Sequence, residues 1–278
     1  MSGRRRHVIT LAILAGAVLA ATSGCAVWRV QRAVELARVS EAFQNNPDNP
    51  AVRVLIVGDS TAVGTGASSG RESLAGLMAR QHPRTLIENR ARDGARFADV
   101  LAQLVGEQRF DIVLVQAGGN DVIRLRGLDA LQIDIERVAD RARELADTVV
   151  LMPAGNVGNA PFFFAPVSWW MTQRSRALHR LVQQAAARTG AVYVNLFHER
   201  DDDPFVANPG LNASDGLHPS DAGYVVWFEQ LQVQAALSQK LVGRDPGHGN
   251  DFAPTLDLAL QESRERLRAA RVDAETLR

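Results

Sequence analysis

The amino-acid sequence predicts an α/β fold, a three-layer α/β/α arrangement in which about five parallel strands form a doubly wound sheet. Short apolar runs alternate along the chain with longer segments of helical periodicity. The short runs are apolar at consecutive positions, which is typical of strands that helices bury on both faces. With 278 residues, of which 46% are hydrophobic, the chain is long enough to bury one sizeable core.

Five strands and five helices are predicted within residues 51–243, which we interpret as the folded domain. The predicted strands are residues 52–57, 85–87, 112–116, 149–152 and 192–196. The predicted helices are residues 72–80, 97–105, 128–145, 174–188 and 222–241. In a doubly wound sheet, ligands bind beyond the carboxyl ends of the strands. Functional residues are therefore expected in the loops that follow the five strands.

Residues 1–28 have the pattern of a signal or membrane-anchor segment. Three arginines at positions 4–6 precede an uncharged, apolar run over residues 8–28, which is long enough to span a bilayer. Three fates fit this pattern: an uncleaved anchor, cleavage and lipidation at Cys25, or simple cleavage before it. The lipidation motif is imperfect, because Thr22 stands where leucine is usual. Since the arginines would stay in the cytoplasm, the remaining chain is expected in a bacterial cell envelope, facing the periplasm or the exterior.

Two further segments flank the predicted domain. Residues 29–50 are rich in helix formers and end in an Asn- and Pro-rich stretch, which predicts a helical stalk followed by a linker. Residues 244–278 start as a loop and continue as a charged amphipathic helix near residues 256–272. We interpret this C-terminal segment as a solvated appendage.

Charge and cysteine content exclude several functional classes. The 31 lysines and arginines balance the 31 aspartates and glutamates, so no net positive field favours nucleic acid as a partner. The single cysteine, Cys25, rules out an internal disulfide framework and a cysteine-rich metal site.

A serine, Ser60, comes just after the first predicted strand, in Gly58-Asp59-Ser60. The segment is not a phosphate-binding P-loop, because Gly58 and Gly64 are one residue too far apart and no lysine follows. It also departs from the nucleophile elbow of the ordinary α/β-hydrolases, since Ala62 fills the last glycine position. Taken alone, the serine could merely cap the next helix.

A serine hydroxyl becomes an effective nucleophile when a base takes its proton and another group orients that base. Asp215 and His218 lie three residues apart on one predicted turn, so both side chains can point the same way. This turn follows the last predicted strand, which puts it at the same edge of the sheet as Ser60. The imidazole is therefore expected within hydrogen-bond reach of the serine.

Two more loops supply candidate donors to a negatively charged oxygen. Asn120 follows the third predicted strand, within Gly118-Gly119-Asn120-Asp121, and its amide group can donate to an oxyanion. Gly94 follows the second predicted strand, and no side chain obstructs its backbone N–H.

These four blocks, in this order within residues 52–241, resemble those of the SGNH hydrolases, also called the GDSL esterase/lipase family. The resemblance implies a flavodoxin-like fold and a serine esterase that acts through an acyl-enzyme on short-chain, lipid or O-acetyl esters. It implies that Ser60 is the nucleophile, His218 the base and acid, and Asp215 the group that orients His218. The implied oxyanion hole consists of the Ser60 and Gly94 N–H groups and the Asn120 side chain, and no metal or organic cofactor is implied.

The same fold leaves other functions open. A noncatalytic module could use it to recognise acylated glycans, and an acyltransferase could pass the acyl group to an alcohol instead of water. The resemblance also does not determine the substrate, which could be a small-molecule, lipid or glycan ester.

An aromatic run after the fourth predicted strand contains Phe162 and Phe163. These rings are candidates for an acyl-chain pocket or a membrane-facing lip, and the alternative is that they pack as core. Asp59 and Asp121 are interpreted as structural residues that hold their loops through backbone hydrogen bonds. Residues 201–203, three consecutive aspartates, are interpreted as a solvated loop.

Overall fold

A computed structural model describes residues 27–242, and in it five strands form an all-parallel sheet with the order β2-β1-β3-β4-β5. The strands are β1 (Val52–Gly58), β2 (Thr85–Asn89), β3 (Phe110–Gln116), β4 (Ala146–Leu151) and β5 (Val192–Tyr193). The strand order reverses direction at β1 and β3, so the crevice beyond their carboxyl ends is the expected ligand site of such a sheet.

Helices cover both faces of this sheet, which confirms the predicted three-layer α/β/α fold. The first helix, α1, has its described part over residues 27–39. The other helices are α2 (Ser60–Val63), α3 (Leu74–Gln81), α4 (Phe97–Val100), α5 (Gly119–Ile123), α6 (Leu128–Leu145), α7 (Val167–Thr189), α8 (Pro204–Ala207), α9 (Asp221–Ala235) and α10 (Leu237–Val242).

Two apolar cores lie on the two sides of the sheet. One joins α3 and α9 to the face that carries Val54 and Ile56 of β1. The other joins α4, α6 and α7 to the face that carries Leu55 and Val57. Successive β1 residues thus enter opposite cores, which explains why this strand is apolar at every position from 54 to 57.

The register of the central strands brings their ends level. Gly58, the last residue of β1, pairs with Gln116, the last residue of β3. The segments that leave these two strands, α2 and the loop into α5, therefore begin side by side. This is how residues about sixty positions apart reach one site.

Several predicted boundaries differ from the structure. The strand predicted at 192–196 ends at Tyr193, although the Val194 N–H still donates to the Leu151 carbonyl of β4 over 2.9 Å. The helix predicted at 174–188 begins at Val167, directly after Pro166. The helix predicted at 222–241 is interrupted at Ala236, whose backbone is left-handed with φ 47°.

Other differences are smaller. The helix predicted at 97–105 is α4, which ends at Val100 and is followed by a 3₁₀ turn at Leu101–Gln103. The helix predicted at 72–80 is α3, which starts at Leu74 because the Ser73 side chain caps it.

Residues 40–50, which follow α1, run beside the edge strand β2. Asn45 forms an antiparallel bridge with Ile87, and Gln44 exchanges hydrogen bonds with the backbone of Asn89. Phe43 packs against the core between the sheet and α3. The segment expected to be a stalk and linker thus packs on the domain along part of its length.

The predicted anchor and lipidation site fall almost wholly outside the described residues, which exclude residues 1–26 and therefore Cys25. The predicted C-terminal loop and helix, residues 244–278, are also outside them. Across residues 27–242, none of the helices combines the length and the apolar character that crossing a bilayer requires.

Candidate active site

Ser60 is the first residue of α2, immediately beyond the carboxyl end of β1. The Asp59 side chain caps this short helix by accepting hydrogen bonds from the Thr61 N–H (3.0 Å) and hydroxyl (2.7 Å). Gly58 precedes it with φ +152°, and a Cβ at this position would lie 1.9 Å from the Gln116 carbonyl oxygen. A glycine is therefore required where the chain turns from the strand into the serine.

The turn predicted to carry the base lies against this serine. His218 Nε2 is 2.9 Å from the Ser60 Oγ, and His218 Nδ1 is 2.6 Å from Asp215 Oδ2. The other carboxylate oxygen of Asp215 accepts the N–H groups of Leu217 (2.9 Å) and His218 (3.1 Å). An alcohol, an imidazole and a carboxylate are thus connected in sequence, as in a catalytic triad.

The electrostatics of this cluster keep Asp215 ionised. Burial alone would raise the pKa of Asp215, but the hydrogen bond and charge of His218, with the two backbone N–H groups, outweigh burial and lower it. The Asp215 carboxylate is completely buried, so its charge acts on the imidazole with little screening by water. It favours the tautomer with the proton on Nδ1 and leaves Nε2 free to accept from Ser60.

Gly94 and Asn120, two of the three predicted oxyanion donors, line the cavity that Ser60 and His218 also line. Gly94 has a left-handed backbone, with φ +73°. Asn120 lies in the first turn of α5, and its Nδ2 donates to the Ala95 carbonyl over 3.2 Å. Because an amide nitrogen carries two hydrogens, this bond orients the Asn120 side chain and leaves one hydrogen for another acceptor.

The cavity that contains these groups has a volume of about 570 Å³, and most of its exposed lining is apolar. This volume is typical of small-molecule sites. Its apolar walls include Ile123, Val157, Leu217 and Trp227. Ser60 is partly exposed to solvent at this cavity.

Neither Phe162 nor Phe163, the candidates for an acyl-chain pocket, is among the residues that line this cavity. Phe163 packs against the core under α7, and the two rings meet edge to face at 4.9 Å. The Phe162 N–H donates to the Gly216 carbonyl over 2.9 Å. The aromatic run therefore supports the Asp215–His218 turn from outside the cavity.

Gln103 is a residue of the site that the sequence reasoning missed. Its buried side-chain amide accepts the Gly58 N–H (2.7 Å) and donates to the Gly58 carbonyl (2.9 Å). These two bonds hold the strand end that presents Ser60. The residues are 45 positions apart, and no local sequence pattern marks a glutamine for this contact.

The structural interpretation of Asp59 and Asp121 is confirmed, since each accepts a backbone N–H, from Thr61 and Phe97 respectively. Both carboxyls are buried, and burial raises the pKa of each, that of Asp121 to about 6. Oδ1 of Asp121 has no hydrogen-bond partner among the described residues. Ionised Asp121 is therefore a source of instability next to Asn120.

The interpretation of residues 201–203 as a solvated loop is wrong for Asp203. This side chain is buried, accepts from Asn159 Nδ2 (2.7 Å) and caps α8 by accepting from the Phe205 N–H (2.8 Å). Asp203 also lines the cavity. Within the part of the chain that the structure describes, no group of three or more His, Cys, Asp or Glu side chains is arranged to hold a metal ion.

A second buried histidine, His179 on α7, is not connected to Ser60. Its ring nitrogens contact the Tyr193 hydroxyl (2.7 Å) and the Ala154 carbonyl (2.8 Å). Burial lowers the pKa of His179 to about 4, so the ring is neutral near pH 7. It supports the wall of the cavity at Ala154.

Comparisons with known proteins identify the family and the fold of the chain. The sequence model of a family described as "GDSL-like Lipase/Acylhydrolase family" matches residues 56–226, a range that includes every residue of the candidate triad and oxyanion hole. No curated protein matches the chain.

Solved structures show the same fold. TesA superposes with a TM-score of 0.53 at 24% identity, covering 66% of this chain and 97% of its own. LAE5, an alpha/beta hydrolase enzyme from the metagenome of Lake Arreo in Spain, gives 0.53 at 19% identity over 68% and 96%. The psychrotrophic esterase EstA from Pseudoalteromonas sp. gives 0.51 at 16% identity over 67% and 97%.

Proposed function

Because the chain belongs to the GDSL-like lipase/acylhydrolase family and is a carboxylic ester hydrolase, we propose that Ser60, His218 and Asp215 are its catalytic triad. The observation that carries this proposal is the unbroken chain of contacts from Ser60 Oγ to His218 (2.9 Å) and from His218 to Asp215 (2.6 Å). In this proposal Ser60 is the nucleophile, His218 is the base and acid, and Asp215 orients His218.

In the first half of the reaction, Ser60 Oγ attacks the ester carbonyl while His218 Nε2 takes the hydroxyl proton. The carbonyl oxygen becomes an oxyanion that accepts hydrogen bonds from the Ser60 and Gly94 N–H groups and from Asn120 Nδ2. When the tetrahedral intermediate collapses, the carbon–oxygen bond to the alcohol breaks and His218 gives its proton to the leaving alcohol. Ser60 now carries the acyl group.

In the second half, His218 takes a proton from water as the water attacks the acyl carbon of the Ser60 ester. The same three donors stabilise the second oxyanion. Collapse returns the proton to Ser60 Oγ and releases the carboxylic acid. Asp215 remains ionised throughout and holds the imidazole in its reactive tautomer.

The Ser60→Ala variant tests the triad, with hydrolysis of p-nitrophenyl acetate as the assay. We expect kcat to fall to the residual rate that oxyanion donors alone provide, about 10⁶-fold below wild type for a nucleophile of this kind. Ser69→Ala is the matched control, because Ser69 is exposed and does not line the cavity. Equal rates for Ser60→Ala and the control would refute the proposal.

Hydrolysis and acyl transfer differ only in what attacks the acyl-serine. Incubation with an ester and a sugar alcohol, followed by mass spectrometry of the products, separates them. We propose hydrolysis, which yields the free acid, and an acylated sugar as the main product would instead identify an acyltransferase.

We further propose that residues 1–28 hold the enzyme at a bacterial cell envelope, with the catalytic domain outside the cytoplasm. The sequence supports this through the basic residues 4–6 and the apolar run 8–28, the pattern of a membrane-anchor segment. Exposed aromatic side chains also support it: Trp28 is 55% exposed, Trp169 69% and Trp170 54%. Aromatic rings of this kind are favourable at a membrane interface.

The membrane proposal is tested with the full chain reconstituted into phosphatidylcholine vesicles that carry brominated acyl chains. Bromine is expected to quench the fluorescence of Trp28, Trp169 and Trp170, and replacing Trp169 and Trp170 with phenylalanine should remove their part of the quenched signal. A Cys25→Ser variant that loses incorporation of labelled palmitate would identify the lipidated form. A full chain that stays in the soluble fraction of expressing cells would refute attachment.

A further inference from the structure

Helix α1 is held against the domain beside the candidate triad. Arg29 donates to the Pro161 carbonyl and lies over the Phe164 ring, 4.6 Å from its centroid. Arg32 Nε donates to the Ser214 hydroxyl over 2.9 Å, and Ser214 directly precedes Asp215. The attachment of residues 40–50 along β2 then fixes the C-terminal side of the helix. These contacts place α1 next to the cavity and not away from the domain.

Three α1 residues contribute to the lining of the cavity that contains Ser60 and His218: Ala33, Val34 and Ala37. They are small or apolar, and the spacing of 33, 34 and 37 puts them on one side of the helix. The apolar lining around them comes from α5, α9 and the loops after β4 and β5. One wall of this cavity is therefore built by a segment that precedes the first strand of the sheet.

The apolar surface of α1 extends beyond the cavity. At 100° per residue, positions 27, 30, 33, 34 and 37 fall within an arc of about 120° and extend about 15 Å along the axis. The three valines of this stripe remain uncovered, with Val27 57% exposed, Val30 51% and Val34 47%. Polar residues border the stripe, since Gln31, Glu35 and Arg38 are exposed beside it.

An uncovered apolar stripe that continues a cavity into the solvent is unfavourable unless a ligand covers it. The position of the stripe indicates that this ligand is part of the substrate. The stripe is continuous with the cavity at Val34, and the cavity holds the nucleophile.

We infer that α1 is the wall of an acyl-binding track, and that the preferred substrate is an ester of a medium- or long-chain fatty acid. The acyl chain lies along Ala37, Val34 and Val30 while its carbonyl carbon is at Ser60. This inference rests on the proposed function of the Ser60 site, and it assigns chain-length selectivity to α1.

The test compares the full chain with its Ala37→Phe variant on p-nitrophenyl acetate, octanoate and dodecanoate. A phenyl ring at position 37 adds bulk to the wall of the cavity and narrows the track. We expect kcat/KM for octanoate and dodecanoate to fall about tenfold or more relative to kcat/KM for acetate, the effect of a mismatched apolar contact. Val34→Ser, which places a polar group in the track without adding bulk, should lower the long-chain preference several-fold in the same direction.

Val39→Phe is the matched control, because Val39 is on the same helix, is 73% exposed and does not line the cavity. The control should keep the wild-type ratio of dodecanoate to acetate activity. If Ala37→Phe and Val34→Ser also keep that ratio, or if wild type shows no preference for the longer chains, the inference is wrong. Thermal melts of all variants identify any that fail to fold. If Ala37→Phe does not fold, the activity ratio of Val34→Ser decides the result.

A second readout separates this inference from the proposed function. Binding of cis-parinaric acid, a fluorescent fatty acid that resembles the hydrolysis product, should weaken about tenfold in Ala37→Phe and remain unchanged in Val39→Phe. A chain that binds this acid but hydrolyses no ester would refute the proposed function and support the track. A chain that hydrolyses acetate and binds no fatty acid would refute the track alone.

Discussion

Replacing Asp215 with asparagine should disable catalysis while preserving the fold. In the native protein, Oδ1 accepts two backbone N–H groups, and Oδ2 accepts His218 Nδ1 over 2.6 Å. The side-chain oxygen of asparagine can accept the same two backbone N–H groups, which together contribute about 2 kcal/mol to stability. In that orientation, the NH₂ group of the asparagine faces the imidazole. His218 then moves its proton to Nε2 and can no longer accept one from Ser60. We expect kcat to fall about 10⁴-fold, or about 5.4 kcal/mol in the barrier.

The assay is kcat for p-nitrophenyl acetate across pH 6–9, with thermal melts to measure stability. Asp111→Asn is the matched control, because Asp111 also accepts a backbone N–H, that of Arg53 (2.8 Å), but at the opposite end of the sheet. It should change stability slightly and kcat very little. An Asp215→Asn enzyme that keeps more than about a tenth of wild-type kcat would refute the role assigned to the carboxylate.

Three further predictions concern the residues around the triad. Asn120→Ala should lower kcat about 10²- to 10³-fold with little change in KM, since the Asn120 amide acts on the transition state; steady-state kinetics measure both. Gly58→Ala should abolish soluble expression or lower the melting temperature sharply, because its Cβ would lie 1.9 Å from the Gln116 carbonyl oxygen. Gly127→Ala is the control and should be tolerated, because a Cβ at Gly127 meets nothing within 4 Å. The pKa of Asp121 is raised from 3.8 to about 6, so the folded state binds this proton more tightly than the unfolded state, and stability falls as pH rises through that interval. Asp121→Asn should therefore stabilise the protein by up to about 3 kcal/mol above pH 7 and by much less below pH 4, as chemical denaturation at the two pH values can measure.

The sequence could predict the sheet and the contacts among Ser60, His218 and Asp215 because the signals for both are local. A run such as residues 52–57 is apolar at every position, and a strand buried by helices on both faces requires this pattern. Asp215 and His218 share one turn, and Ser60 and Asn120 each follow a strand whose end lies at the catalytic edge. Parallel topology alone then brings these loops together.

The parts that could not be predicted depend on contacts between distant segments. The side-chain amide of Gln103 hydrogen-bonds with the backbone of Gly58, which lies 45 residues away in the sequence. The hydrophobic periodicity of a sequence does not indicate such a pair. Asp203 is in an acidic run, a pattern that predicts a solvated loop. Its side chain is nevertheless buried and accepts hydrogen bonds from Asn159 and from the N–H at the start of α8. The position of α1 beside Ser60 depends on two arginine contacts that no sequence pattern indicates.

The residue that reacts with a fluorophosphonate probe identifies the nucleophile most directly. Trypsin should release residues 54–71 as one peptide, since no lysine or arginine lies between Arg53 and Arg71. Fragmentation by mass spectrometry should place one phosphonyl group on Ser60, and the adduct should be absent in Ser60→Ala and form slowly in Asp215→Asn. An adduct on another residue, or equal labelling of Ser60→Ala, would contradict the assignment of Ser60 as the nucleophile.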